Sequence, residues 1–357
     1  MALITVMLIV ALASVIAAQM TGRLQSQMQR SINVNFNQQA YWYAMGAEAF
    51  TKRILIQSFK DEPEVTNLEQ IWAEKGTSYP VDFGEISGEI SDLQSCLNLN
   101  ALHPKAKNKE DSGKEDTTTK GTNQAKADNE QSVNPPPKAS RAAKANTNTE
   151  QLPAATVLER LIVNLNIEGV GAFEAESMVD ALSDWLDSND MISGTGGAED
   201  NDYASREFPY LAANSYLASV NELRLIEHFT PAVIIALTPY VCVLPQNNLH
   251  EININTLDAE QPELLQALLG SSLDEAQEVL GARDSAGYEN LEDFYQLPEL
   301  SKINIEKWQK GQFVVDSQYF KLKASARFNN SYFAMSSIMQ VKETNEIQVI
   351  SRTIGRN

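Results

Sequence analysis

Residues 1–20 form an apolar run without a charged side chain. A helix rises about 1.5 Å per residue, so a run of this length matches a hydrocarbon layer roughly 30 Å thick. A cleaved secretory signal would begin with basic residues, whereas the first basic residues here, Arg23 and Arg30, follow the apolar run. We therefore expect a membrane-anchoring helix, with its transmembrane part over residues 1–22, exposed by removal of a leader.

The helical pattern continues beyond the anchor. From Arg23 to Phe59 the chain has no proline and a single glycine, Gly46, and Pro63 then provides a stop. Apolar residues recur at helical spacing along this stretch, at Leu24, Met28, Ile32, Trp42, Met45 and Ala49. The pattern predicts one helix on the order of 85 Å long, whose front half lies in lipid and whose back half packs on a soluble domain.

The chain of 357 residues carries a formal net charge of −19, with a sequence pI of about 4.6. Binding to nucleic acid rests largely on Lys and Arg, so this charge balance argues against nucleic-acid partners. It also disfavours electrostatic adsorption to anionic lipid, which leaves the apolar helix as the membrane anchor. The length allows two or three domains.

Two cysteines occur, Cys96 and Cys242. If the body of the chain is exported, a disulfide between them is possible, because such compartments are oxidising. Two separate buried thiols are the alternative, since the sequence does not give the distance between their Cα atoms.

Composition divides the rest of the chain into segments. Residues 23–103 join the back half of the long helix to short alternating runs that are typical of strands. Residues 104–153 nearly lack large apolar side chains, so they cannot bury enough apolar surface to offset the entropy of ordering. A disordered insertion is expected there. A nucleic-acid-binding tail is the alternative, disfavoured because its lysines are interleaved with acids.

Helical periodicity follows over residues 154–311, with helices expected at 220–226 and 257–269 among others. In the last segment, residues 312–357, apolar and polar residues alternate at period two from 312–315 onward. This pattern predicts an antiparallel meander with one face exposed to solvent. The fold class is therefore α+β. A long N-terminal helix and an antiparallel sheet are expected, with a large α-helical domain inserted between the strands.

A Gly-rich acidic loop follows the helix expected at residues 174–186. Six carboxylates lie in it or beside it: Asp184, Asp187, Asp190, Glu199, Asp200 and Asp202. Calcium takes roughly six to eight oxygen ligands, and crowding these acids without a counterion would be self-repulsive. We expect calcium to be bound by all of them except Asp184, which can cap or pair locally. A solvated acidic loop is the alternative.

Residues 252–294 resemble a helix-hairpin-helix or SAM-like module, a family that often contacts DNA, with its hairpin at Gly270-Ser-Ser-Leu-Asp274. The hairpin lacks the basic residues that contact with a DNA backbone needs. A compact helical interaction module is therefore the favoured interpretation. The alternative function is a membrane-anchored receptor that takes up DNA through this hairpin.

The sequence lacks signatures of catalysis. The three histidines, His103, His228 and His250, do not have metal-ligand spacing, and no zincin or nucleophile-elbow motif occurs. No catalytic residue and no small-molecule substrate are expected. A hydrolase acting through the acidic loop is a further alternative, which would require turnover that calcium chelation abolishes.

Several motifs, in order along the chain, resemble one family. They are Met1-Ala-Leu-Ile-Thr5, Gln39-Ala-Tyr-Trp-Tyr-Ala-Met-Gly-Ala-Glu48, Asp92-Leu-Gln-Ser-Cys-Leu-Asn-Leu-Asn100, Asp184-Trp-Leu-Asp187, Gly197-Ala-Glu-Asp200, Ser219-Val-Asn-Glu-Leu-Arg224 and Asn253-Ile-Asn-Thr256. Together they resemble the minor pseudopilin K family of bacterial type II secretion systems, over nearly the whole chain except residues 104–153.

This resemblance implies a pilin-like fold with an inserted helical domain, processing by a prepilin peptidase and calcium bound in the insert. It implies a single pass through the bacterial inner membrane, with the C-terminal body in the periplasm. It also implies assembly with the minor pseudopilins I and J at the pseudopilus tip. There the chain would initiate or cap the filament that exports folded proteins across the outer membrane.

The resemblance gives Met1 and Thr5 a role in assembly. It implies that Met1 is the first residue of the mature chain, and most pilin-like subunits carry Glu at the position of Thr5. That carboxylate is thought to pair with the terminal amine of a neighbouring subunit, since an unpaired carboxylate within a bilayer is costly. Thr5 makes no such demand, which fits a subunit with nothing above it. A tolerated polar residue in an apolar helix is the alternative.

Overall fold

The computed structural model describes residues 2–104, 152–342 and 346–355. Met1 and almost all of the insertion expected at 104–153 lie outside these ranges. In chain order the helices are α1 (Ala2–Asp61), α2 (Pro153–Asn164), α3 (Ala172–Leu186), α4 (Asp200–Ala204), α5 (Pro231–Leu237), α6 (Glu263–Leu269), α7 (Leu273–Gly281), α8 (Leu291–Tyr295) and α9 (Lys307–Lys310). The strands are β1 (Thr77–Val81), β2 (Gly84–Asp92), β3 (Leu97–Asn98), β4 (Val241–Cys242), β5 (Ile252–Asn253), β6 (Phe313–Val314), β7 (Tyr319–Phe328), β8 (Ser331–Val341) and β9 (Ile347–Ile354).

Helix α1 is continuous, as its pattern predicts, and ends at Asp61 just before Pro63. Residues 3–35 are exposed, whereas further along Ala40, Ala44 and Leu55 are fully buried against the rest of the protein. Among the described residues, α1 is the helix that is long and apolar enough to cross a membrane. The helix is therefore compatible with a single membrane anchor whose far half is part of a folded domain.

A five-stranded antiparallel sheet, in the order β1-β2-β7-β8-β9, packs on the far half of α1. The ring of Phe36 contacts that of Phe328 at 5.5 Å, and Phe59 contacts Phe320 at 5.8 Å. Strand β7 therefore starts beside the end of α1 and runs back toward the anchor. Asp92, the last residue of β2, pairs with Phe320 near the start of β7. The chain therefore leaves the sheet at the strand ends that are distant from the anchor.

An ion pair between the buried Glu48 and the more exposed Arg352 joins α1 to this sheet. Glu48 is 3% exposed and accepts hydrogen bonds from Arg352 Nε and Nη2 at 2.9 and 2.8 Å and from Ser337 Oγ at 2.7 Å. Burial alone would raise the pKa of Glu48, but the hydrogen bonds from Arg352 and Ser337 and the Arg352 charge lower it below its usual value. The pair therefore stabilises the fold at neutral pH.

Replacing Arg352 by Ala is expected to lower the free energy of unfolding by about 2 kcal/mol, because it leaves a buried carboxylate uncompensated. Since the pKa of Glu48 is lowered, this stabilisation is present above pH 4.5 and lost as the pH falls through the pKa of the folded state. Denaturant unfolding of Arg352→Ala, Glu48→Ala and the double variant measures it. We expect the double variant to lose less than the sum of the single losses; strict additivity would contradict the pairing.

The helices α2 to α9 lie between β2 and β7 along the chain and share a second core. Helix α2 packs between α3 and α6, burying Leu158, Leu161, Leu182 and Leu265 completely. Thr230 caps α5 through its hydroxyl, with Pro231 at the first helical position. Leu97, Leu99 and Leu102, from the part predicted to be pilin-like, also lie in this second core. The division into a pilin-like part and an inserted part stays a prediction.

Three local predictions are wrong. Residues 220–225 form a 3-10 helix, Val220–Leu225, rather than an α-helix. The helix expected at 257–269 begins at Glu263, after turns at 257–262. Residues 312–315 do not join the meander, because β6 pairs in parallel with β5. Spacing of apolar residues indicates burial in each case, but it does not fix the hydrogen-bonding partner.

The passage between the two cores is held by buried side-chain amides. Asn98 donates to the carbonyls of Asn247 and Leu249 and accepts from Leu244 N–H. Asn100 bridges the same region to Leu217 through both its oxygen and its nitrogen. Such pairing satisfies backbone groups that would otherwise be buried without partners.

A disulfide lies at the same junction. Cys96, between β2 and β3, is bonded to Cys242 in β4, with their Cα atoms 5.8 Å apart. The bond joins positions 146 residues apart, so it ties the exit from the sheet to the inserted helices.

Candidate functional site

The acidic loop folds back over the helix that precedes it. Asp184, near the end of α3, is fully buried and accepts from Ser193 N–H at 3.0 and 3.1 Å. Asp180, one turn earlier, accepts from Thr195 N–H at 3.1 Å and from Gly196 N–H at 3.2 Å. A Cβ at Gly196 would overlap the backbone of Ser177, so only glycine permits this close approach. Asp184 pairs locally, and Asp180 anchors the loop although the sequence did not single it out.

Glu199 is the unusual member of the loop. Its side chain is 3% exposed, and both carboxylate oxygens are buried without a hydrogen-bond partner among the described residues. Burial, together with the charges of Asp184, Asp187, Asp190 and Asp200, raises the pKa of Glu199 to about 7. A buried carboxylate surrounded by like charges is costly unless a cation or a proton neutralises it.

The other expected ligands, which lie around Glu199, differ in burial and in hydrogen bonding. Asp187 is nearly buried and accepts from Asn189 N–H, whereas Asp190 is exposed. Asp200 accepts from Ala212 N–H at 3.0 Å, and Asp202 caps the start of α4 by accepting from Glu199 N–H at 3.0 Å. In the described part of the chain no group of three His, Cys, Asp or Glu side chains is already assembled for a metal.

The acceptor chemistry nevertheless fits a hard cation. The two carboxylate oxygens of Glu199 accept no hydrogen bond within the part of the chain that the structure describes, and Asp187, Asp190 and Asp200 are close enough to shift its pKa. Oxygen donors alone suit calcium rather than a transition metal.

Aromatic rings support the far side of the loop. Arg206 lies over the rings of Tyr203 and Tyr210 at 5.0 and 5.3 Å and forms an ion pair with Glu227. Tyr203, completely buried in α4, packs edge-on against Trp185 at 5.2 Å. Helix α4, which follows Glu199 directly, is therefore attached to α3 by packing.

The second candidate site is α1. Thr5 lies near the start of the helix in its fully exposed part.

The hairpin expected to resemble a helix-hairpin-helix module consists of α6, Gly270 at φ 66° and α7. Its assignment to that family stays a prediction.

Two family models match the chain, and both are described as protein K of the type II secretion system (T2SS). The first covers residues 95–246 and the second residues 252–316.

Curated proteins named "Type II secretion system protein K" are similar over almost the whole chain. The protein from Aeromonas hydrophila is 33% identical, covering 99% of this chain and 96% of that protein. The one from Dickeya chrysanthemi is 35% identical, with coverages of 99% and 96%. The one from Klebsiella pneumoniae is 32% identical, with coverages of 99% and 95%.

One solved structure is similar along most of its length. It is titled "The Crystal Structure of the GspK-GspI-GspJ complex from enterotoxigenic Escherichia coli Type 2 Secretion System". The similarity has a TM-score of 0.70 at 28% identity and covers 94% of this chain and 100% of that one.

Proposed function

The chain belongs to the type II secretion system protein K family, whose members are minor pseudopilins, and we propose that it starts and caps the pseudopilus tip together with minor pseudopilins of the I and J types. The solved complex of a relative with GspI and GspJ supports this partnership. The filament would serve to export folded proteins across the outer membrane. The role is that of a structural component, and no catalysis is assigned to it.

One observation carries the capping role. The inserted helices are attached to the sheet where β2 ends and β7 begins, at the strand ends that are distant from the anchor. With α1 in the filament, this bulk lies at the end where a further subunit would have to be added. A pilin-like body without the insert would leave that end of the sheet free.

The apolar part of α1 would hold the chain in the inner membrane, with the body in the periplasm. The exposed residues 3–20 fit this placement, because an apolar surface without protein contacts requires lipid or partner helices. The alternative, a DNA receptor, gains no support from the relatives, and the charge of −19 speaks against it.

Calcium is part of the proposal. Asp187, Asp190, Glu199, Asp200 and Asp202 would hold the ion, which would neutralise the buried charge of Glu199. Bound calcium would supply structural order to the loop between α3 and α4.

Electron microscopy with an antibody against the inserted domain tests the capping role. Pseudopili isolated from cells that express the full chain are expected to carry label at one end only. Filaments of a strain that produces a variant lacking the epitope serve as the matched control. Label distributed along the filaments would contradict the proposal.

Replacing Thr5 by Glu tests its place in the filament. If no subunit lies above, the new carboxylate has no amine to pair with and must be buried unpaired in lipid, at a cost of about 2–3 kcal/mol. We expect Thr5→Glu to reduce secretion in a complementation assay, whereas Thr5→Val should secrete like the wild type. Full secretion by both variants would reduce Thr5 to a tolerated polar residue.

A further inference from the structure

The acidic loop has two arms, which are attached to the rest of the protein by different contacts. The first arm, residues 193–197, is bonded to α3 through Asp180 and Asp184. The second arm, residues 200–206, begins with α4, which packs on α3 as described above. Glu199 lies between the arms along the chain, so the separation of the arms determines which carboxylates surround it.

A turn at residues 225–228 contacts the second arm. Glu227 forms an ion pair with Arg206. The backbone N–H of Glu227 also donates to Tyr203 Oη at 3.4 Å, and the guanidinium of Arg206 lies over the Tyr203 ring at 5.0 Å. These contacts fix the position of the turn relative to α4.

The same turn contacts the first arm through His228. The Nε2 atom of His228 lies 3.0 Å from the carbonyl oxygen of Gly196. A carbonyl oxygen can only accept, so Nε2 carries the proton of this hydrogen bond. Gly196 has little freedom to move, because its N–H donates to Asp180 and a Cβ built on it would overlap the backbone of Ser177. The bond therefore ends on a fixed part of the first arm.

The backbone of His228 adopts an uncommon conformation. Its φ is 69°, in the left-handed region that a residue with a Cβ adopts only at an energetic cost. Such a conformation persists where the surrounding contacts hold it. Here the contacts are the ion pair of Glu227 and the bond from His228 to Gly196. Two consecutive side chains of the turn thus bind opposite arms of the loop.

A cleft lies between the two arms beside this turn. Its volume is about 480 Å³, and its walls include Thr195 and Gly196 of the first arm, Asp202 and Arg206 of the second arm, and His228. Because the arms face each other across this space, contacts through the turn connect them there.

We propose that His228 is a positioning residue of the calcium site. Together with Glu227 it sets the separation of the two arms, and thereby how closely the carboxylates converge on Glu199. The inference rests on the proposed function, because it concerns the ion proposed to bind in the loop. His228 acts through Gly196 and does not touch the ion.

The coordination of calcium gives the physical reason. Calcium takes roughly six to eight oxygens at about 2.3–2.6 Å, so ligands that precede and follow Glu199 in the chain must converge on one point. Arms that are already held at the required separation lose less freedom on binding, and this raises the affinity. Without the bond from His228, the first arm would have to be ordered when the ion binds.

The first test is the calcium affinity of the full chain, purified in detergent and titrated by isothermal calorimetry. His228→Ala is expected to reduce the affinity about tenfold. A side chain with a merely structural role would lower the unfolding midpoint equally in calcium and in chelator. We expect His228→Ala instead to reduce the difference between these two midpoints, because that difference depends on the affinity. Equal lowering of both midpoints would contradict the proposal.

Two further variants distinguish the hydrogen bond from the backbone conformation. Glutamine has an N–H donor at about the position of Nε2, so His228→Gln should retain most of the wild-type affinity. Asparagine is common in the left-handed region, but its side chain is too short to reach Gly196. His228→Asn should therefore bind calcium as weakly as His228→Ala. Equal affinities of the Gln and Asn variants would overturn the proposal, even if the Ala variant does not fold.

Hydrogen exchange measured by mass spectrometry gives a readout without metal. In chelator, the backbone amides of residues 193–198 should exchange faster in His228→Ala than in the wild type, because the first arm has lost a restraint. Wild-type calcium affinity or unchanged exchange in His228→Ala would overturn this inference and leave the proposed calcium site intact. Failure of the wild-type chain to bind calcium would instead overturn the proposed site, and this inference with it.

Discussion

Chelating calcium from the chain without its anchor, residues 23–357, is expected to lower the thermal unfolding midpoint by about 5–10 °C. An ion that binds only the folded state stabilises by about 2.7 kcal/mol at a hundred times its dissociation constant, and 1 kcal/mol corresponds to about 2–4 °C when the part that unfolds has the size of the predicted inserted domain, residues 154–311. Calcium should restore the midpoint and magnesium should not, because magnesium demands tighter octahedral geometry. Scanning calorimetry with chelator and after addition of each ion measures the effect.

The variant Glu199→Gln distinguishes the loss of calcium binding from the loss of one negative charge in the loop. The pKa of Glu199 is raised to about 7, above its unfolded value of 4.5, so without metal its contribution to stability is lost as the pH rises through about 7. In chelator at pH 8, Glu199→Gln should therefore unfold at a higher temperature than the wild type, yet gain little from calcium. Glu207→Gln, an exposed acid nearby, should respond to calcium as the wild type does. An unchanged midpoint on chelation, with Glu199→Gln like the wild type, would remove the calcium proposal.

The features that the sequence predicts best are those that a local pattern determines. Helix α1 follows from a long stretch without proline and ends where Pro63 requires it to end. The meander of β7, β8 and β9 follows from alternation at period two, because one sheet face is buried against α1. In both cases neighbouring residues contain the signal, and the tertiary contacts agree with it.

The predictions that are wrong concern partners distant in sequence. Residues 312–315 alternate like the strands after them, but alternation does not distinguish a parallel pair with β5 from a place in the antiparallel sheet. The 3-10 helix at Val220–Leu225 has apolar spacing that an α-helix would share, and its backbone becomes extended at Ile226.

The sequence shows which acids are crowded in the loop, but it does not show how the loop folds, and calcium binding by these acids stays a prediction. The cluster of acids is visible in the sequence, whereas the isolation of Glu199 depends on how the loop folds over α3. That folding depends on Asp180, whose bonds reach 15 and 16 residues ahead. Asn-x-Asn occurs at Asn98 and at Asn253, each time at the end of a short strand, but it also occurs in α1 and at the end of α2, so the motif alone does not reveal the buried amides.

Replacing Asp92 by Ala is expected to lower the free energy of unfolding by about 3 kcal/mol or more. Asp92 is 4% exposed at the end of β2 and accepts from Thr256 Oγ1 at 2.5 Å, Ser317 Oγ at 2.6 Å and Gln94 N–H at 2.7 Å. These donors come from the exit from the sheet, the inserted domain and the return to the sheet. Alanine would leave them buried without their acceptor, each at a cost of about 1–3 kcal/mol. Denaturant unfolding measures the loss, with Glu89→Ala, an exposed acid of the same strand, as the control.

The pH dependence of this loss decides between two opposing effects on Asp92. Burial raises its pKa to about 6, although the bonds from Ser317, Thr256 and Gln94 act in the opposite direction. Since the unfolded value is 3.8, the folded state binds the proton more tightly, and the stabilisation is fully present below about pH 4 and declines as the pH rises through about 6. Alanine does not titrate, so the difference in stability between the wild type and Asp92→Ala should narrow across this range. A difference that widens with pH would mean that the three donors outweigh burial, and that the junction between the two cores is held by a carboxylate rather than by a carboxylic acid.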